Sequence, residues 1–252
     1  MNRFVRGLIT FAGLVLAWDL LVRLGELPHY ILPGPDRVAL RLWSDHALLA
    51  HHAGLTLVEI VLGLVLGTLL GSLAALVLAA SRAARRWLLP VLLVSQAVPV
   101  FAIAPLLVLW LGYGMASKIA MATLIIFFPV AATFHDGLRR TEPGWLDLAQ
   151  TMGASRWRTL WHLRVPAALP AFGAGLRVAA AVAPIGAVVG EWVGASAGLG
   201  YLMLHATARV QTDLTFAALL LLALMAVCLW LLVDAGLRRA LPWLPDTHLK
   251  EE

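Results

Sequence analysis

Long apolar runs, each closed by a cluster of arginines, set the rhythm of this chain. A helix needs about 20 mainly apolar residues to cross a bilayer. Six stretches meet that length: about Val5 to Leu24, Leu55 to Ala80, Leu88 to Leu111, Ser117 to Leu138, Ala171 to Val193 and Leu214 to Leu237. Backbone groups in lipid must be satisfied within their own segment, so these runs predict helices and an all-α, polytopic membrane protein. Between the first two runs stand Pro28, Pro33 and Pro35. After them, Asp36 to Leu49 alternates polar and apolar at helical spacing, which predicts an amphipathic helix lying at the membrane surface. Gly194 to Asp213, between the last two runs, predicts a short helix over Tyr201 to Arg209. The longest polar interruption is Glu142 to Pro170.

These breaks divide the chain into an N-terminal transmembrane helix (1–30), a surface segment (31–53), a membrane core (54–240) holding the polar stretch 142–170, and a tail (241–252). The N-terminus starts like a signal peptide, with Arg3 and Arg6 before an apolar run. That run is long enough to span, and no A-x-A cleavage site follows, so it is read as a retained span.

Composition agrees. Of 252 residues 61% are hydrophobic and 13% charged, whereas soluble domains are nearer half apolar and about a quarter charged. A soluble enzyme is excluded. The net charge of +5 comes mostly from arginines at span ends, so it speaks of topology and not of nucleic acid. Arg3, Arg6, Arg82, Arg85, Arg86, Arg139, Arg140, Arg156, Arg158, Arg164, Arg238, Arg239 and Lys250 fall on one side, with Arg177 at its boundary. Arg23, Arg37, Arg41, Lys118 and Arg209 fall on the other. By the positive-inside rule the richer side, with both termini and the 142–170 stretch, is cytoplasmic.

Candidate chemistry is sparse. Cys228 sits alone in an apolar run, so no disulfide forms within the chain; it reads as a small core or lipid-facing residue. There is no G-x-x-x-x-G-K-[ST] loop, no H-E-x-x-H and no G-x-S-x-G. No catalytic residue and no metal site is expected, and energy for any work must come from another protein. Gly63, Gly67 and Gly71, continued by Ala75 and Ala79, form a small-residue stripe suited to close helix packing, within the chain or against a second copy. The third span contains Pro90, Pro99 and Pro105 around Ser95 and Gln96. Freed carbonyls at membrane depth need protein or a wet cavity, so Gln96 and Pro99 mark either a translocation path or a structural kink. Glu191 beside Trp192 is either part of a gate or polar pore wall, or an element of the outer interface. Glu59 is placed near an outer span end, within reach of headgroup water. His135 is placed at the inner interface as a headgroup-level hydrogen bonder. Asp19 with Arg23, and Asp234 with Arg238, stand four apart and suit ion pairing.

The polar stretch itself reads EPGWLDLAQTMGASRWRTLWHLRVPAALP. Pro143 suits a first helical turn, Gly153 a helix end and Ser155 the cap of a second helix over Arg156 to Leu163. Pro166 and Pro170 are expected to stop that helix. Leu146, Met152, Trp157, Leu160, Trp161 and Leu163 are its apolar knobs, which suit docking into a groove of a soluble partner.

The spacing Asp147-Leu148-Ala149, then Gly153, then Leu163-Arg164-Val165-Pro166, resembles the EAA loop of ABC-importer permeases. It departs from that pattern at Asp147, Leu148, Leu163 and Val165. The resemblance extends from about Ile31 to Trp243 and is to the nitrate, sulfonate and taurine group of binding-protein-dependent permeases. It implies a type I importer permease in a bacterial inner membrane. Asp147, Ala149, Gly153, Ala154, Arg156, Trp157, Leu163 and Pro166 would form the coupling element. Segment 31–53 would be periplasmic. The implied partners are a second permease copy, two ATP-binding subunits that hold ATP and Mg, and a periplasmic binding protein. Within the group, Ser95-Gln-Ala-Val-Pro99, Phe127-Phe-Pro129 and Gly190-Glu-Trp-Val-Gly-Ala-Ser-Ala-Gly-Leu-Gly-Tyr201 are similar to permeases for the pyrimidine precursor of thiamine. Sulfonate, taurine or nitrate are the alternative cargoes. An ion-coupled secondary transporter ranks below these, because Asp19, Glu59, Asp136, Glu191 and Asp234 all read as lying near span ends.

Overall fold

The computed structural model describes residues 3–95 and 97–243. All regular structure among them is helical: α1 (Arg3–Leu24), α2 (Pro35–Ser44), α3 (His46–Ala80), α4 (Arg82–Ser95), α5 (Val100–Leu111), α6 (Met115–Arg139), α7 (Pro143–Thr151), α8 (Arg156–Thr159), α9 (Val165–Gly194), α10 (Leu199–Ala208) and α11 (Thr212–Ala240). A π-helical turn, Leu160–Arg164, joins α8 to α9. Five stretches are long and apolar enough to cross a membrane, and Val100–Leu111 is a shorter apolar helix.

The predicted second span is longer than expected. It begins at His46, because α2 ends at Asp45 and the chain turns directly into α3. The predicted third span is two helices. Its chain breaks before Pro99, whose missing N–H and fixed φ make it a helix start. Gln96 lies outside the described residues.

The core is built on α6, which is held on two sides by small residues. Gly63, Gly67 and Gly71 of α3 face Ala122, Ile126 and Phe127; a Cβ at Gly63 would lie 2.4 Å from that of Ala122. On the other side Gly175, Gly186 and Gly190 of α9 bring its backbone against Thr133, Ala122 and Lys118. Such approach lets backbones gain dispersion contact, the main source of association between helices that are already in lipid. Ile60, Ala122, Ile126, Val130, Ala179, Ala183 and Ala187 fill the middle. Helices α1, α2, α10 and α11 close one end, around Val38, Leu49, Leu199, Leu202 and Leu214. There Trp18 stacks on Phe216 at 6.1 Å. The outward faces are strongly apolar (Leu24, Leu109 and Leu232 among them), as lipid-facing surfaces require. Cys228 is on such a face.

Candidate coupling hairpin and far-end polar cluster

The polar stretch forms a helical hairpin at the end of the bundle where α6 finishes and α9 begins. Pro143 occupies the first turn of α7. Gly153 adopts φ +72, a conformation that costs L residues with a Cβ and leaves glycine unstrained. The hydroxyl of Ser155 accepts the Arg158 N–H at 3.3 Å and caps α8. Pro166 and Pro170 do not stop the second helix, contrary to expectation. The π turn absorbs the fault: the Val165 N–H reaches back to the Leu160 carbonyl, one residue further than in an α-helix. Pro166 then falls in the first turn of α9, and Pro170 lies inside it. Hairpin and span are therefore one continuous helical run.

Two ties fix the hairpin to the bundle. Arg164 donates from Nε (3.0 Å) and Nη2 (2.8 Å) to the Leu138 carbonyl, one of the last carbonyls of α6. Leu160, read from sequence as a docking knob, is instead buried with Ala75, Phe134, Leu138 and Ala168. The remaining face is open. Trp145, Leu148, Met152, Trp157 and Trp161 are at least half exposed, and Asp147, Gly153 and Arg156 are exposed as well. Pro166 is exposed, while Ala149, Ala154 and Leu163 are half-buried. Between α7 and α8 lies an apolar groove of about 500 Å³, lined by Trp145, Leu148, Ala149, Met152 and Leu163, with Arg158 and His162 at its edge.

At the opposite end the structure brings together residues that the sequence kept apart. Glu191, in the last turn of α9, is 1% exposed. Its Oε1 accepts the Thr56 hydroxyl at 2.6 Å. Its Oε2 accepts the backbone N–H groups of Gly200 and Tyr201, in the first turn of α10. A carboxylate there satisfies donors that a helix N-terminus otherwise leaves free, and it meets the favourable end of the helix dipole. The Thr56 oxygen accepts the Leu199 N–H at 2.8 Å, and His52 Nδ1 accepts that of Gly198 at 2.9 Å. Gly198 has φ +124, and a Cβ there would strike the Glu191 carboxylate. One turn below Thr56, Glu59 is fully buried, with Lys118 Nζ 3.0 Å from its Oε1. Glu59 therefore does not reach headgroup water: its depth in the bundle requires a charged partner, and Lys118 supplies it.

The other candidates separate. Trp192 points away from Glu191 and is 50% exposed, so the two share no site in this chain. Pro99 is the exposed N-cap of α5. His135 is not at a headgroup surface; it is buried, and its Nε2 has no hydrogen-bond partner among the described residues. Asp19 pairs with Arg23 at 2.8 Å. Asp234 meets Arg238 at 2.8 Å, and also Arg177 at 2.6 Å, a second partner that local spacing could not reveal. No group of three or more His, Cys, Asp or Glu placed to hold a metal occurs among the described residues.

A many-spanning helical bundle with a stiffly mounted, outward-facing hairpin and no reaction centre defines a membrane transport subunit. The chain belongs to the family described as binding-protein-dependent transport system inner membrane component, whose model matches residues 67–244. It is 56% identical to a probable ABC transporter permease protein of Haemophilus influenzae, over 94% of this chain and 97% of that one. It is 40% identical to the riboflavin transport system permease protein RibX of Chloroflexus aurantiacus, over 93% of this chain and 88% of that one. It is 36% identical to the formylaminopyrimidine transport permease protein ThiX of Halalkalibacterium halodurans, over 92% of this chain and 93% of that one. The chain is an ABC importer permease, a multi-pass inner-membrane protein of a transport system.

Proposed function

We propose that this permease forms the membrane path for a small neutral heterocycle of the pyrimidine type, a thiamine precursor such as hydroxymethylpyrimidine, and that a separate ATPase drives it through the hairpin. The observation that carries the coupling role is the mounting of that hairpin. Its apolar groove and indole rings face outward, while Arg164 and Leu160 lock its base to α6 and the π turn runs on into α9. A knob held this stiffly moves the bundle when a partner moves it. Asp147, Ala149, Gly153, Ala154, Arg156, Trp157, Leu163 and Pro166 form the contact or its geometry. In this reading the hairpin and both termini are cytoplasmic. Two copies of the chain line one path, two ATP-binding subunits hold ATP and Mg, and a periplasmic binding protein delivers the cargo. The permease itself makes and breaks no bonds.

The pyrimidine cargo is supported by the ThiX likeness over nearly the whole chain. Labelled hydroxymethylpyrimidine uptake, measured against taurine in a strain lacking this permease, tests it. Loss of pyrimidine uptake alone is the expected result, and unchanged pyrimidine uptake overturns the cargo.

A further inference from the structure

Between α3, α4 and α6, toward the hairpin end, lies a cavity of about 160 Å³ lined by Leu78, Leu89, Leu92, Phe128, Ala131, Ala132, His135 and Asp136. We infer that it is a stopping site for a single-ring nitrogen heterocycle in transit, with His135 Nε2 as the hydrogen-bond partner of the ring and Phe128 as its apolar wall. This rests on the pyrimidine reading above and gives that cargo a place in the path.

Size is the first argument. An apolar cavity of about 150 Å³ holds one benzene ring, so this one takes a six-membered ring with small substituents. A fused tricyclic ring system does not fit. Chemistry is the second. The walls are apolar, and no cationic side chain lines the cavity among the described residues. A sulfonate would lose its hydration here without a charged donor to replace it. The third argument is His135. It is 3% exposed, and its Nε2 is unpartnered among the described residues, whereas buried polar groups are nearly always bonded. An imidazole nitrogen donates or accepts according to its tautomer. It thus matches either a ring nitrogen or an exocyclic amino group. Water is a poorer tenant, since a buried water wants about three polar partners. Asp136 is exposed and marks the way in, beside the exposed Ala132.

The test uses the intact permease complex in nanodiscs, without binding protein, and labelled hydroxymethylpyrimidine as probe. Uptake into proteoliposomes is followed in parallel with the complete system. The expected result is saturable binding of one probe per permease chain. Ala132→Trp, which puts an indole into the mouth, should abolish it. His135→Leu should weaken it about tenfold, the worth of one hydrogen bond, and His135→Gln should recover part of the loss. Assembly and basal ATP hydrolysis should stay unchanged in all three. Undiminished binding in Ala132→Trp and His135→Leu overturns the site. So does an absence of saturable binding to the unaltered complex while pyrimidine uptake proceeds, and in that case the function proposed above survives. Variants that lose assembly together with binding show His135 to be a packing residue, which also overturns the site. If the complete system moves taurine or riboflavin and not the pyrimidine, the cargo itself is wrong.

Discussion

The two ends of the bundle solve opposite problems. At the far end, Glu59, Lys118 and Glu191 are almost wholly buried, and nearly every polar atom described there meets a partner on another helix. At the hairpin end, three tryptophans, a methionine and several charges stand in the open, held by two ties at the base. Burying charge is tolerated only where geometry and partners are fixed. The far end is therefore a permanent joint among α3, α6, α9 and α10. Exposed indoles do the reverse: they leave apolar area unspent until something covers it. The contrast separates the part of the molecule that must hold still from the part that must be gripped.

The sharpest way to break the contrast is to unbalance the buried pair. Lys118→Met leaves Glu59 charged and alone, and should cost about 3–5 kcal/mol of stability, read as a fall in melting temperature in detergent. Pairing it with Glu59→Met should restore most of the loss. If the single variant melts like the parent, the far end is not a fixed joint. Next in size, Gly67→Leu drives a side chain into Ile126, which a Cβ alone would already meet at 2.6 Å. Overpacking of this kind should cost about 1–3 kcal/mol and is checked by the same melt. Glu191→Gln keeps the shape but removes the charge at the start of α10. A loss of about 1–2 kcal/mol is expected, seen as faster amide exchange at residues 199–202 with little change elsewhere. The smallest effect on folding should come from Arg156→Glu, an exposed surface change within about 0.5 kcal/mol. Yet it should abolish transport while membrane insertion stays normal. Gly153→Asp should do likewise, with an added strain of about 1 kcal/mol from its positive φ. Normal uptake by both would remove the hairpin from the drive mechanism.

The hairpin was legible because its determinants are local. Pro143, Gly153 and Ser155 each act within a few residues, and the structure puts each where turn chemistry asks. The spans were legible from length, and the glycine stripe of α3 from its even spacing. The second stripe was missed because Gly175, Gly186 and Gly190 repeat unevenly around Pro184; counting Ala179 and Ala183 with them would have exposed it. The polar cluster could not be assembled from local patterns, since Thr56 and Glu191 are separated by 135 positions. Read one at a time, each acid looked like an interfacial residue. A usable signal was present: Glu59, Lys118 and Glu191 sit at similar depth in three successive long helices, with opposite charges among them. Pro166 and Pro170 misled because a π turn takes up the lost hydrogen bond, and proline alone gives no notice of one.

The unbroken run from Arg156 to Gly194 covers 39 residues, or about 58 Å at the rise of a helix. With no elbow along that rod, a swing of about five degrees at its foot displaces its tip by about 5 Å, close to one helical pitch. The tip carries the Glu191 clasp, so a slight push on one face of the membrane arrives on the other as a step large enough to open or shut a door.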